Sequence, residues 1–209
     1  PDLHETYGKE FTKAYKKYKK SADIGDVKNY RVINAKDLWK KILTALYETG
    51  HPWITFKDPS NIRYSNKHEG VVHSSNLCTE ILLHTKPTVY EEGDIIEVGE
   101  TAVCNLASIN LASHLKVRTI DWKKLQKTVE VAVRGLDNVI NLNFYPTKEA
   151  KKANLKHRPV GLGIMGTHDV LHRLGIPYNS KDAVVLCGKI QEFISLHAIK
   201  TSALLAREK

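Results

Sequence analysis

Apolar residues recur at helical spacing in four stretches of the chain. In residues 5–20, Phe11, Tyr15 and Tyr18 form a narrow stripe on an otherwise charged helix. Next comes Asn34, which has the chemistry of an N-cap, and Gly50 supplies the stop after Thr49. Between them Leu38, Ile42 and Leu46 repeat every four residues, flanked by Trp39 and Leu43, so one face is expected to pack inward. Asp121 is the expected cap of a third helix to about Leu142, with Leu125, Val129, Ala132, Leu136 and Ile140 on its buried side. The fourth pattern starts at Ser180 and keeps Leu186, Ile190, Ile194 and Ala198 on one stripe, with Cys187 read as core. It reaches Lys209 uncapped, which suggests either a fraying helix or a protein that continues elsewhere.

Polar and turn-forming residues divide these helices. Ser21 to Asn29 reads as a linker, and His51 to Asn66 as a loop punctuated by Pro52, Pro59 and Asn61. Val71 to Leu83 is expected to carry a central strand. The acidic stretch Pro87 to Gly99, with Glu91, Glu92, Asp94 and Glu97, reads as a surface excursion or hairpin.

Within the Val71 to Leu83 strand, alternation would place Asn76, Cys78 and Glu80 on one face and Leu77, Thr79 and Ile81 on the other. A free thiol suits a buried face and an unpaired carboxylate does not. The combination points to a pocket holding a sulfur reagent, a proton acceptor and an orienting amide. The bland alternative is a half-buried strand whose Glu80 reaches water and whose Cys78 is small filler. By pattern alone, Cys104 beside Val103 and Leu106 reads as ordinary core.

Composition narrows the classes. With 209 residues, 42% hydrophobic and 26% charged, the chain suits one domain or two small ones. No apolar run approaches the ~20 residues of a membrane span, and the polar start is no signal peptide, so a cytoplasmic location is expected. The net charge of +9 sits largely in local runs such as Lys16-Lys17, Lys123-Lys124 and Lys148 to Lys156, which read better as solvated helix faces than as a nucleic-acid surface. Such a surface would still favour anionic nucleotides or an acidic partner. Three cysteines without a CxxC pair argue against structural zinc and fit a reducing compartment. His68, His73 and Cys78 read as loop residues rather than metal ligands. Gly161 to Gly166 satisfies GxGxxG, but Pro177 breaks the path to the acidic residue that a dinucleotide site needs, and Asp182 opens a helix.

The string Ser75-Asn76-Leu77-Cys78-Thr79-Glu80-Ile81 resembles the finger-loop signature of the catalytic large subunit of ribonucleotide reductase. Thr101 to Ser108 resembles that family's second redox-cysteine segment, and Lys156 to Gly163 its RPxGxG segment. Pro1 to Glu5, Leu38-Trp39 and Gly50 to Trp53 fall in family order, so the resemblance covers nearly the whole chain. It implies an α/β fold, a helix-rich fragment of a ten-stranded α/β barrel with a finger loop, spanning 1–209 with a helical lead-in over 1–50. The function implied is radical-based reduction of ribonucleotides to 2′-deoxyribonucleotides, as part of a ribonucleoside-diphosphate reductase. On this resemblance Cys78 would become a thiyl radical that abstracts the 3′ hydrogen, and Glu80 would take the 3′-hydroxyl proton. Asn76 would hold the ribose hydroxyls, and Cys104 would be one of two reducing thiols. No cofactor is expected in this chain, the radical coming from a partner, expected to be a di-metal small subunit.

Departures from the family pattern bear equally on the expectation. No upstream cysteine can pair with Cys104, and the phosphate-holding serine- and threonine-rich loop, the tyrosine pair and the tail cysteines are absent. The chain is therefore expected to be inactive alone and to work with the remaining pieces of the large subunit, a radical-generating small subunit and a ribonucleotide. The competing reading is a non-catalytic assembly module docking onto a split reductase. A basic nucleic-acid-binding domain and a cysteine hydrolase are the other classes weighed. The first would show steeply salt-dependent binding, and the second needs a histidine beside the thiol.

Overall fold

Side-chain caps mark where several of the helices begin. The computed structural model describes residues 2–209, which fall into two units, one ending at Ala102 and the other spanning Val103–Lys209. In the first, a 3-10 turn over Asp2–Glu5 precedes α1 (Gly8–Asp23) and α2 (Ala35–Thr49). Asn34 accepts from the Lys36 amide at 2.9 Å, and Gly50, left-handed at φ 74°, closes the helix by donating to Leu46 O at 2.9 Å.

The expected inward face of α2 is not buried: Leu38, Trp39 and Leu43 are each more than 40% exposed, and neither α1 nor α2 holds a buried residue. Four-residue spacing creates an apolar face, but burying it takes a partner element, which spacing does not specify. The stretch read as a loop contains α3 (Lys57–Arg63). Pro59 lies in its first turn, where the missing N–H has no intrahelical acceptor to lose.

The acidic stretch is a hairpin, β1 (Val89–Glu91) against β2 (Asp94–Glu97). Its turn residues Glu92 and Gly93 both have positive φ, which matches the twist of antiparallel strands. At its base Lys86 and Glu100 exchange two backbone hydrogen bonds of 2.9 Å. The residues this unit buries are mainly polar: Asn61, His84 and Glu100, alongside Tyr64 and Val72.

The second unit carries the hydrophobic core. Its elements are β3 (Leu106–Asn110), a short hairpin of β4 (Leu115–Lys116) and β5 (Thr119–Ile120), α4 (Trp122–Leu142), α5 (Lys148–His157), β6 (Gly161–Met165), α6 (Thr167–Leu174) and α7 (Lys181–Glu208). Asp121 and Ser180 cap α4 and α7 through the amides of Lys124 and Ala183. α4 buries Leu125, Val129, Val133, Leu136 and Ile140, so Val133 takes the place expected of Ala132. Leu125, Val129 and Val133 share one core cluster with Ile109 of β3 and with Ile190, Ile194 and Leu205 of α7. Cys187 is half-buried at the edge of the α7 stripe rather than in the core.

β3 and β6 pair in parallel, with Leu106 opposite Gly161 and Asn110 opposite Met165. Gly166 then turns the chain at φ 75° into α6, so the GxGxxG glycines serve a strand-to-helix junction. No helix among the described residues is long and apolar enough to cross a membrane.

Candidate active site

The segment Val71 to Ile81 is not a strand. Asn61 of α3 clamps its start: the Asn61 amide donates to Val72 O at 2.9 Å, and its Oδ1 accepts from Val72 N at 2.8 Å. Beyond the clamp, Asn76 folds the chain back on itself. Its Oδ1 accepts from the Ile81 amide at 3.0 Å, its carbonyl from the Thr79 amide at 3.1 Å, and its own N–H reaches Ile81 O at 3.4 Å. The result is a closed turn over 76–81 in which Asn76 Nδ2 donates to Glu80 Oε1 at 2.8 Å. Asparagine side chains that bond nearby backbone compete with strand ladders, which is why the extended reading fails here.

Alternation therefore does not govern these side chains. Asn76 and Glu80 meet across the neck of the turn, and Cys78 stands at its tip as an exposed free thiol beside Leu77, 82% exposed. Thr79 reaches the left-handed region at φ 67°, a conformation that a β-branched residue adopts rarely and at about 1–3 kcal/mol. Nothing in the heptapeptide's spacing signals this strain. Neither Cys78 nor Glu80 lies in the sheltered hollow expected for them; both face solvent.

Cys104 belongs to the second unit and is exposed, two residues before β3, rather than core. Its neighbour Asn105 is buried and held by hydrogen bonds. Asn105 Nδ2 donates to Asn154 Oδ1 and to Pro159 O, both at 2.8 Å, and its carbonyl accepts from Gly161 N at 2.9 Å. Asn154, wholly buried, also donates to the Tyr145 hydroxyl at 2.6 Å. The backbone presenting Cys104 is thereby anchored on α5 and on the entry to β6. The three cysteines are all free thiols.

A second polar cluster in the first unit has no sequence signal. The Tyr64 hydroxyl lies 2.6 Å from His84 Nδ1, His84 Nε2 lies 3.0 Å from Glu100 Oε2, and Lys86 Nζ stands 3.9 Å from Glu100 Oε1. His84 with its proton on Nε2 accepts from the phenol and donates to the carboxylate, so the buried charge of Glu100 is met from two sides. Burial pushes the Tyr64 hydroxyl above the ordinary phenol value.

Arg158, left-handed at φ 47°, donates from Nε to Asp137 Oδ1 at 2.7 Å and from Nη2 to the Asp137 carbonyl at 2.7 Å. Arg158 first, with Lys209 adding to it against partial burial, holds the Asp137 carboxyl below the usual carboxylate range.

Comparison with known proteins covers the whole chain. The family described as ribonucleotide reductase, barrel domain, matches residues 1–209. The chain is 53% identical over 209 residues to the ribonucleoside-diphosphate reductase subunit alpha of Chlamydia pneumoniae and 51% identical to that of Chlamydia trachomatis. Each match covers 100% of this chain and 19% of the relative. The corresponding subunit of Helicobacter pylori is 40% identical over 253 residues, 31% of its length. The chain thus spans about a fifth of the length of its chlamydial relatives.

Proposed function

The chain belongs to the ribonucleotide reductase barrel-domain family, and from that membership we propose that it supplies the radical-bearing turn of a ribonucleoside-diphosphate reductase. In this reading the 76–81 turn is the finger, and β3 and β6 are neighbouring strands of a ten-stranded α/β barrel completed by the rest of the enzyme. Cys78, once oxidised to a thiyl radical, takes the hydrogen atom from C3′ of the ribose to become a thiol and gives it back to C3′ at the end of the cycle, which restores the thiyl radical. Glu80 accepts the proton of the 3′-hydroxyl. Asn76 holds Glu80 and keeps donor and acceptor capacity for the ribose hydroxyls. Cys104 is one of two thiols that together deliver two electrons and two protons as the 2′-hydroxyl leaves as water, and they close to a disulfide.

The radical originates on a partner, a di-metal small subunit, and the thiols operate in the reducing cytoplasm. The rest of the barrel would keep the radical dry once assembled around the turn.

The supporting observation is the Asn76–Glu80 hydrogen bond across the neck of a turn that carries Cys78 at its tip. Amide and carboxylate are held together while the thiol is left free and exposed at the tip of the turn. The test is Cys78→Ser in a reductase assembled with this chain, followed by reduction of a ribonucleoside diphosphate. Loss of turnover with unchanged association is expected. Ordinary turnover by Cys78→Ser would instead favour the non-catalytic assembly module, for which the exposed apolar faces of α1 and α2 are the docking surface.

A further inference from the structure

His4, Glu5 and His73 converge in the first unit from segments far apart in its sequence. One donor atom from each lies within 4.8 Å of the others. Both sides of the cluster are anchored on α3. Lys57 Nζ donates to His4 O, and Asp58 Oδ1 accepts from Gly8 N at 3.0 Å, which ties down the 3-10 turn carrying His4 and Glu5. Asn61, one helical turn on, clamps Val72 beside His73.

The His73 side chain is only 8% exposed, and its two ring nitrogens are treated differently. Nδ1 lies 2.9 Å from the Thr85 hydroxyl oxygen. Nε2 is buried without a hydrogen bond, although Glu5 Oε1 is 3.0 Å away: the carboxylate is near but off the direction a ring N–H would take. In the tautomer that donates Nδ1–H to Thr85, Nε2 is an unpartnered acceptor 3.0 Å from a carboxylate oxygen, acceptor beside acceptor. A cation between them resolves that opposition, and a hydrogen-bonded second nitrogen is the usual way a protein orients a metal-binding imidazole.

We propose that His4, Glu5 and His73 form a divalent transition-metal site of the zinc type. Two imidazoles and a carboxylate are a donor set that zinc accepts, with water as fourth ligand, and bonds of 2.0–2.1 Å set tetrahedral donors about 3.3 Å apart. The 3.0 Å between Nε2 and Oε1 is close to that spacing. The His4 ring stacks on His73 with centroids 4.0 Å apart and planes 7° from parallel. A metal lies in the plane of each imidazole it binds, so exposed His4 rotates out of the stack on binding. The ion then staples the N-terminal turn to the segment that leads into Ser75 and Asn76. This site is independent of the radical chemistry proposed for Cys78.

The test uses the full chain carrying Cys78→Ser and Cys104→Ser, so that the exposed thiols do not compete for zinc. Titration with Zn²⁺ against a chromophoric chelator is expected to give one tight site. His4→Gln, Glu5→Gln and His73→Gln are each expected to weaken it at least tenfold, and Zn²⁺ is expected to slow amide exchange over residues 71–75. His4 and Glu5 are exposed, so their variants report binding without a folding penalty. Zinc retention by His4→Gln and Glu5→Gln equal to the parent, or no zinc held by the parent, overturns the proposal.

Discussion

Replacing Asn61 by Ala isolates the device that delivers the chain to the candidate active site. The Asn61 side chain makes three hydrogen bonds, of 2.9 and 2.8 Å to the Val72 carbonyl and amide and of 3.0 Å to Lys57 O. Asn61 and Val72 are each 2% exposed, so truncation strands both Val72 backbone groups away from water. An orphaned buried group costs about 1–3 kcal/mol, and the two are coupled, which places the loss at about 3 kcal/mol. Because the chain comprises two units, a single global unfolding energy would blur the effect. Amide exchange read on peptides spanning residues 70–76 avoids this, and about 3 kcal/mol corresponds to roughly a hundredfold faster exchange there. Peptides from the second unit should exchange as in the parent. If protection over 70–76 stays within about threefold of the parent, the clamp does not hold the segment and the reasoning is wrong.

Other perturbations address the remaining anchors. Gly99→Ala would set a Cβ 2.3 Å from Lys86 O and 2.6 Å from Thr88 N, both backbone, so the base of the hairpin should lose about 1–3 kcal/mol; exchange at Lys86 and Glu100 unchanged from the parent would refute this. Asn154→Leu removes the partner of Asn105 and of the Tyr145 hydroxyl, and should cost about 2–4 kcal/mol and accelerate exchange over 103–106; a parent-like thermal midpoint would contradict it. The Asp137 carboxyl titrates lower folded than unfolded, so its contribution is present above about pH 4 and is lost as pH falls through its folded value. Asp137→Asn should therefore be destabilised relative to the parent at pH 7, by a margin that shrinks as pH falls below about 4, and a gap independent of pH would show that the Arg158 pairing carries no such linkage.

Local chemistry was legible in the chain wherever one segment could decide its own conformation. Asn34, Asp121 and Ser180 cap helices because a side-chain oxygen needs only an amide two or three residues away. The acidic hairpin and the strand-to-helix glycines belong to the same class. α3 escaped because Pro59 reads as a breaker until its place in the first turn is known. α5 escaped because its buried face is only Ala150, Ala153 and Asn154, too small to register as a stripe.

At the candidate site, alternation set Asn76, Cys78 and Glu80 on one face, the resemblance gave them roles, and the order of the motifs named the family. Their geometry was out of reach of alternation, because Asn76 satisfies Ile81 by its side chain and Thr79 takes a left-handed backbone, giving a closed turn instead of a strand. Pairings between distant segments lay further off still: Asn61 with Val72, Tyr64 with His84 and Glu100, His4 and Glu5 with His73. Short-range hydrogen bonds and hydrophobic period are properties of contiguous residues, so a linear string determines them. Which remote polar groups share a buried volume depends on how the elements pack, and only the folded chain decided that.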